Sequence, residues 1–454
     1  MAFTLLLLLI ADSGWCEEFR KIEVDTLDLT TAFQMALDHN PTLQQSLANL
    51  NLTELQIQEA YNALNPTLYA TLSELYVKQK IRSFRERDGE LTLNIPIYNF
   101  GQVYWNARAA KLTRNKAGQD LRAQVQTMIQ QVAVNFVEAR LNDQLADISK
   151  LRVDDRKAYL KQASDLLDAG EIAEFEKIQA ESNVLAAQES LSSAQQEAST
   201  SLATLLVDLG VRPDMSIELA QLPELQPPPE VIDQGLAQAL RNRPEIESLR
   251  WQVMAYEATA KASGRRNAPQ LAFYSDYDSL DEGSAYEPTW ETGLQLTWQL
   301  FDGGAAKNAA RQAQAQADII RGQLGAQQRQ VALDVTTAFV QMKQLWPQIT
   351  LAEKSLKKAE ETLTIAQYRF KAGLSSGIEL LNAQDGLSSA RIALAQAEAD
   401  YRLATINWRR ATSADYPVEV PASWQEAWTK LEPGTEPERE PEPEREPEME
   451  KDEP

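Results

Sequence analysis

The stretch that decides the fold is Ile95-Pro96-Ile97-Tyr98-Asn99-Phe100-Gly101, which returns later in the chain as Trp298-Gln299-Leu300-Phe301-Asp302-Gly303-Gly304. The offset between the two copies is 203 residues, as from Gly101 to Gly304. The same offset, without a gap, relates Asn40-Pro41 to Arg243-Pro244 and Ala169-Gly170 to Ala372-Gly373. We therefore expect each half of the chain to carry the same elements in the same order. Two such long units favour pseudo-symmetry within one body over a solenoid of short repeats.

Alternating segments surround these two copies. Residues 91–98 and 291–301 alternate between apolar and polar side chains, and their predicted partner strands cover about 67–77 and 269–277. Such lengths match strands that cross a bilayer in a barrel, but a half-buried sheet of a soluble protein alternates in the same way. Four strands cannot close on themselves, so a membrane location would require several chains to pool their strands.

A long helix is expected after each strand-to-helix stretch. No proline lies between Pro96 and Pro213, and good helix formers dominate the interval. The sequence predicts a helix of about 67 residues, roughly 100 Å long, from residue 101 to about 168 and again in the second half. Each should end at its Ala-Gly pair and turn back, which gives helical hairpins over 101–209 and 303–410. Asn99 and Asp302 can cap the two long helices.

Apolar residues on these helices are spaced as in a coiled coil. The first seam is Val125, Ile129, Val132, Phe136 and Ala139, and the second is Ile349, Ala352, Leu356, Ala359, Leu363, Ala366 and Phe370. Pro347 has no counterpart in the first half, and we expect it to kink or break the second long helix.

Composition excludes several kinds of function. A net charge of -22 argues against nucleic acid as a partner, and the sequence shows no polybasic run for anionic lipid headgroups. Cys16 and His39 are the only residues of their types, so an internal disulfide, a Cys-based metal site and a His-based triad are excluded. Without a glycine-rich phosphate loop or a distinct acid/base pair, we expect no enzyme, no cofactor and no metal.

The two ends and the middle of the sequence differ from the repeats. The apolar run at the start is too short to span a bilayer but suits a signal peptide, which we assign to residues 1–16. A buried N-terminal element is the alternative. Lipidation of Cys16 is less favoured. A proline-rich linker, 211–231, joins the structural repeats 25–210 and 232–412. Residues 413–431 follow, and the acidic Glu/Pro tail 432–454 is too poor in apolar residues to fold.

Taken in this order, the elements resemble the TolC-type family of outer membrane efflux and secretion channels. The resemblance covers about residues 25–412 and rests on the Ala-Gly turns, on Ala-Leu-x-x-x-Pro at 36–41 and 239–244, and on the junction residues Pro96, Asn99, Gly101, Asp302, Gly303 and Gly304. It implies a mainly α homotrimer with a 12-stranded transmembrane β-barrel and a periplasmic α-helical tunnel, around which the linker and residues 413–431 form a belt.

The resemblance also implies a function. The chain would be the passive exit duct of a tripartite efflux pump or type I secretion system, in the outer membrane of a Gram-negative bacterium. Its partners would be outer membrane lipid, a periplasmic adaptor (membrane fusion) protein and an inner-membrane pump, with the cargo chosen mainly by the pump. A soluble periplasmic coiled-coil adaptor or scaffold is the alternative, and its sheet would pack one face on the helices.

Site residues follow from the same resemblance. The family's acidic tunnel-entrance positions fall on Glu379 and on Asn382, where the charge is absent, and the equivalents in the first half are Glu176 and Gln179. A basic latch of some members falls on Ser375, also a departure. The adaptor would grip the tips at 168–178 and 371–381, with contacts at Gly170, Glu171, Gly373, Leu374 and Ser375. Three copies of Glu379 around a narrow axis would attract cations, although a solvated helix-face acid is an equally good interpretation.

Overall fold

The structure, a computed structural model, describes residues 26–78, 83–215, 217–281 and 286–414. The signal peptide 1–16 with Cys16, the tail 432–454 and all but the first two residues of 413–431 lie outside these ranges. The described chain is mainly helical with one four-stranded sheet, as the sequence predicts. None of the helices in these ranges combines the length and apolar composition that crossing a membrane requires.

Four long helices form two hairpins. Helices α3 (Gln102–Asp168) and α7 (Ala305–Lys371) are each 67 residues long, and α4 (Glu174–Asp208) and α8 (Gly377–Thr412) return beside them. The shorter helices are α1 (Leu29–His39), α2 (Pro41–Asn62), α5 (Asp233–Asn242) and α6 (Pro244–Gly264). Both bounds of α3 and α7 differ by the offset of the sequence repeat, so the pseudo-symmetry extends to the ends of these helices.

The predicted seams are buried. On α7, Ile349 and Ala366 are buried and the other five seam residues are partly buried, whereas the residues between them are exposed. On α3, Val125, Val132 and Phe136 belong to the largest core, together with residues of α1 and α2. Burial of one stripe of each helix is what a coiled-coil spacing predicts.

Helices of the two halves lie side by side in one layer. Near the strands the order is α2-α3-α6-α7, and toward the hairpin tips it is α4-α3-α8-α7. Helix α3 therefore packs against both repeats, while α7 lies at one edge of the layer and α2 and α4 lie at the other.

Helix α7 continues through Pro347, so of the two expected effects, a kink or a break, the break is wrong. A proline inside a helix removes the N–H donor for the carbonyl four residues earlier, which is that of Lys343. Both Pro347 and Lys343 are exposed, and water can therefore hydrate the freed carbonyl.

The sheet joins the two repeats. Its strands, in the antiparallel order β2-β3-β5-β6, are β2 (Thr67–Lys78), β3 (Ser83–Tyr98), β5 (Gln270–Asp281) and β6 (Tyr286–Thr297). Three bounds extend beyond the prediction into the charged links, since β3 starts at Ser83 rather than 91, β5 ends at Asp281 rather than 277, and β6 starts at Tyr286 rather than 291. The strand pairing continues through the charged residues there, and Arg87 Nε lies 3.5 Å from Glu74 Oε1 on the adjacent strand. Strand β6 ends at Thr297 rather than 301, opposite Gln270, where β5 begins.

The register separates an apolar face of the sheet from a polar one. Paired residues share a face, and the apolar face carries Leu68, Leu72, Leu91, Leu93, Phe273, Tyr277, Trp290, Leu294 and Leu296. The polar face carries Thr71, Asp88, Glu90, Thr92, Asp276, Asp278, Glu291 and Gln295. Leucines on the apolar face are exposed, Leu72 by 88% and Leu294 by 67%. Among the described residues these strands make no extensive contact with a helix, so the sheet is not the half-buried one that a soluble scaffold would need.

The linker crosses the helical layer. Within it, β4 (Glu218–Leu219) pairs in parallel with β1 (Thr26–Leu27). Further along, the Tyr401 hydroxyl of α8 donates to the Gln226 carbonyl at 2.5 Å. The linker is thereby attached to the start of the first repeat and to the last helix of the second.

Candidate functional site at the hairpin tips and strand-to-helix junctions

Both hairpin tips turn on a glycine in the left-handed region. Gly170 has φ +77° and Gly373 has φ +68°. The N–H of each glycine and of the next residue donate back to the last helical turn, at 2.9 Å for Glu171 N to Leu166 O and 2.8 Å for Leu374 N to Arg369 O. A Cβ at either glycine would meet no atom within 4 Å, so the backbone conformation alone favours glycine there.

Glu379 has an ion-pair partner across its turn. Its Oε1 lies 2.8 Å from Arg369 Nη1, and both side chains are about half exposed. The equivalent of Arg369 in the first hairpin is Leu166, so the pair occurs in one tip only. An exposed pair of this kind contributes roughly 0–1 kcal/mol to stability, but it reduces the negative charge that Glu379 presents. Arg369 could not be identified from the sequence, because its contact with Glu379 depends on how the turn folds back.

The remaining predicted tip residues differ in exposure. Glu176, Gln179 and Asn382 are exposed, as are Gly170, Glu171, Gly373 and Leu374. Ser375 is partly buried, and its Oγ has no hydrogen-bond partner among the described residues. The tips therefore present polar groups and an exposed leucine to solvent.

Tyr159 of α3 fills the space between the two hairpins near the tips. Its ring centroid lies 6.3 Å from that of Phe370, and a Cβ added to Gly377 would lie 2.0 Å from its hydroxyl. Burial raises the pKa of the Tyr159 phenol, and the nearby Glu176 carboxylate raises this pKa further. Gly377 at the start of α8 thus permits a close approach of α3 that any other side chain would obstruct.

A charged cluster ties α3 to α8 about one to two turns further from the tips than Tyr159 and Gly377. Arg152 Nη2 lies 2.9 Å from Asp385 Oδ1, and the 5% exposed Arg156 pairs with the same carboxylate and reaches Gln384 Oε1 at 3.2 Å. Burial raises the pKa of the neighbouring Asp155, against the lowering effect of Arg391 and Arg156. The sequence offers only a weak signal for this cluster, the spacing of four that places Arg152 and Arg156 on one side of α3.

Replacing Asp385 with alanine should destabilise this end of the molecule. Arg156 would stay buried without a carboxylate, which costs about 1–3 kcal/mol. We expect a lower midpoint of thermal unfolding and faster proteolysis of the hairpins. The control is Asp400→Ala, which removes an exposed carboxylate of the same helix. Equal stability of the two variants would show that the cluster adds nothing to the packing of α3 on α8.

At the strand-to-helix junctions the two repeats reach the same geometry with different residues. Gly101 and Gly304, at φ +85° and +88°, occupy the N-cap positions, and the side chains of Asn99 and Asp302 cap the two helices as expected. These side chains act from two residues earlier. Asp302 accepts from Gly304 N at 2.8 Å and Ala306 N at 2.7 Å, whereas Asn99 makes one weaker bond, 3.4 Å from Val103 N. Bonds from these backbone N–H groups, led by that of Ala306, lower the pKa of Asp302.

Two further junction residues accommodate the change from strand to helix. Phe100 has φ +49° where the second copy has Gly303, and its ring packs edge-on against Tyr98 at 4.7 Å. Pro96 lies where the β3–β5 register shifts, a position that tolerates a residue without an N–H donor.

An exposed apolar sheet continued by long helical hairpins defines a class of protein, the channels of bacterial outer membranes. The sequence pattern of the outer membrane efflux protein family matches residues 32–211 and 235–414. The chain therefore belongs to this family, and the two matched ranges reproduce the internal repeat.

Individual proteins support the same assignment. The outer membrane efflux protein BepC of Brucella suis is 23% identical over 389 residues, which cover 85% of each chain. The CmeC outer membrane channel of Campylobacter jejuni superposes with a TM-score of 0.74 at 17% identity and covers 89% of each chain. The outer-membrane channel OprN superposes with a TM-score of 0.72 at 19% identity and covers 85% of this chain and 90% of its own. The chain is thus an outer membrane protein of a Gram-negative bacterium, and the soluble adaptor or scaffold is not supported.

Proposed function

We propose that three copies of the chain form a channel-tunnel in the outer membrane, the passive exit duct of a tripartite efflux pump or type I secretion system. The observation that carries this proposal is the exposed apolar face of the sheet. In water, a sheet that exposes Leu72, Trp290 and Leu294 without a covering helix would aggregate. In a bilayer the same face contacts lipid, and the acidic opposite face lines a water-filled lumen.

The open edges of the chain favour assembly. Strands β2 and β6 each pair on one side only, and lipid does not tolerate unpaired backbone groups. Pairing of β6 with β2 of the next copy would satisfy both edges. Three copies, the number that the family resemblance implies, would close a barrel of twelve strands.

The helical layer has matching edges. On the side of α7 opposite α8, Leu351, Ile365 and Tyr368 are exposed. On the side of α4 opposite α3, Ile178 and Leu185 are exposed. Contact of α7 with α4 of the next copy would bury both stripes and continue the layer into a tunnel, which explains apolar side chains on surfaces that no described residue covers.

The tips are proposed to be the entrance and the docking site of the periplasmic adaptor. The long helices, each about 100 Å, carry the tips away from the sheet and hence from the membrane. A passive duct supplies no energy for transport, so the energy would come from an inner-membrane pump. Identification of the cargo depends on that pump.

Electron microscopy of the detergent-purified protein, together with conductance in planar bilayers, tests the proposal. A three-fold hollow particle well over 100 Å long that forms ion-conducting pores is the expected result. A monomer that stays soluble without detergent, or a solid rod, would contradict it.

Substitution of Glu379 tests its role at the entrance. In Glu379→Gln, three carboxylates are lost and three Arg369 side chains lose their partners, so the entrance becomes more positive. We expect the reversal potential in a KCl gradient to show reduced cation preference. The control is Glu398→Gln, which removes another arginine-paired carboxylate of α8 (Arg402, 3.2 Å) far from the tip. An unchanged reversal potential in Glu379→Gln would exclude Glu379 from selectivity.

A further inference from the structure

Cationic side chains gather on the first turns of α3 and α7, immediately below the sheet. They are Arg108, Lys111, Lys307 and Arg311, which we call the basic collar. Arg108 and Arg311 occupy equivalent positions in the two repeats, each six residues beyond the start of its helix. At the helical rise, both lie about 9 Å from the junction with the sheet.

The collar lies on the side of the helical layer that carries α5 and the linker. Gln126 follows Arg108 by five helical turns and so points to the same side. Its side-chain amide donates to Ser413 Oγ at 2.9 Å, and this hydroxyl donates to the carbonyl of Asn242, the last residue of α5, at 3.4 Å. In the proposed duct this side must face outward, because α5 and the linker on the inner side would obstruct the lumen. Arg311 faces outward as well, because the internal repeat makes it equivalent to Arg108. Lys111 follows Arg108 by three residues and Lys307 precedes Arg311 by four, so both lysines lie on the same side of their helices as these arginines.

The described part of the chain does not neutralise the charge of the collar. Among the described residues no carboxylate is within ion-pair distance of Arg108, Lys307 or Arg311. Nearby acids have other partners, since Asp302 caps α7, Glu54 pairs with Arg114 and Glu257 pairs with Arg321. Glu59 is the exposed carboxylate that remains on α2. A local excess of positive charge in a chain of net charge -22 points to an anionic partner.

The position of the collar indicates which anion it meets. The apolar face of the sheet lies directly above, and the exposed aromatic residues Tyr98, Tyr104, Trp298 and Phe301 lie between the two. Aromatic side chains concentrate at the membrane–water interface, and arginine and lysine extend from there to headgroups. The headgroup layer is roughly 5–8 Å thick on each side of the hydrocarbon core. The collar starts about 9 Å below the N-termini of the long helices, and its side chains, which tilt toward those N-termini, reach back toward this layer.

We propose that the basic collar binds the phosphate groups of anionic phospholipids in the periplasmic leaflet of the outer membrane and so fixes the depth of the protein in the bilayer. This inference rests on the proposed function. Arginine suits the site because its guanidinium binds phosphate oxygens in a bidentate manner. The sequence showed no polybasic patch because the residues of the collar lie on two helices about 200 positions apart, and the fold brings them to one level.

Thermal unfolding in mixed micelles tests the collar. Phosphatidylglycerol should raise the unfolding midpoint of the purified wild-type protein by several degrees relative to phosphatidylcholine, and added salt should reduce the rise. Arg108→Glu combined with Arg311→Glu should abolish the rise. The matched control, Lys150→Glu with Lys354→Glu, makes the same charge change on exposed positions of the same helices and should retain it. Inorganic phosphate at the same concentration should have no effect.

Two outcomes would separate this inference from the proposed function. A rise of equal size in Arg108→Glu/Arg311→Glu and in wild type would overturn the collar, even if both proteins form pores in phosphatidylcholine. Failure of the wild type to form pores in either lipid would instead contradict the channel. If the glutamate variant does not fold, Arg108→Gln with Arg311→Gln provides the test, with an expected loss of most of the rise.

Discussion

Lysine in place of both Leu72 and Leu294 is expected to remove the trimer from the outer membrane. Both leucines are exposed in the chain, by 88% and 67%, and in a soluble protein their replacement by lysine would have little effect on stability. On a lipid-facing strand each lysine costs about 2–4 kcal/mol near the middle of the bilayer. With two lysines per chain the sheet should fail to insert. The protein should then be absent from the membrane fraction, and no heat-resistant trimer should be detected.

The matched control uses the adjacent residues of the same strands. Thr71 and Gln295 lie on the polar face of the sheet, and lysine there would project into the aqueous lumen. We expect Thr71→Lys with Gln295→Lys to assemble normally. If the leucine variant assembles as well as this control, the apolar face does not contact lipid and the membrane location of the sheet is wrong.

Some features of the sheet could be predicted from the sequence and others could not. Alternation located all four strands and established which residues share a face. It could not establish whether the apolar face is covered, because a sheet packed on helices and a sheet in lipid have the same period. Several strand ends were also predicted wrongly, since charged residues such as Arg87 resemble a link until the register pairs them with the adjacent strand.

For the candidate site, features that depend on local backbone conformation could be predicted, and those that depend on distant contacts could not. The turn glycines could be predicted because their role depends on local backbone conformation, which a single residue type signals. The partner of Glu379 could not, because Arg369 approaches it only through the geometry of the turn. The Arg156–Asp385 contact joins residues more than 200 positions apart, and no local pattern relates them. Pro347 is the opposite case, since a strong local signal allowed a break that does not occur where the proline faces solvent.

Loss of export is the expected result when the exposed apolar residues of both tips are replaced by aspartate. Phe175 and Ile378 occupy equivalent positions at the second residue of α4 and α8 and are 71% and 63% exposed. Apolar side chains at the end of a long solvated hairpin are unfavourable unless a partner covers them. In the proposed assembly that partner is the periplasmic adaptor, so Phe175→Asp with Ile378→Asp should abolish export of the pump's substrate while trimers stay in the membrane and conduct ions.

The control for the tips is Gln179→Asp with Asn382→Asp. These residues are also equivalent between the repeats, lie about one turn further along the same helices and are exposed, so the variant adds the same charge at nearly the same level. We expect it to alter ion selectivity, because these positions are proposed to line the entrance, but to leave export intact. Unchanged export in the Phe175/Ile378 variant would exclude the tips as the docking site. Loss of export in both variants would instead attribute the defect to added negative charge at the entrance rather than to a lost apolar contact, because charge is the one change that the two variants share.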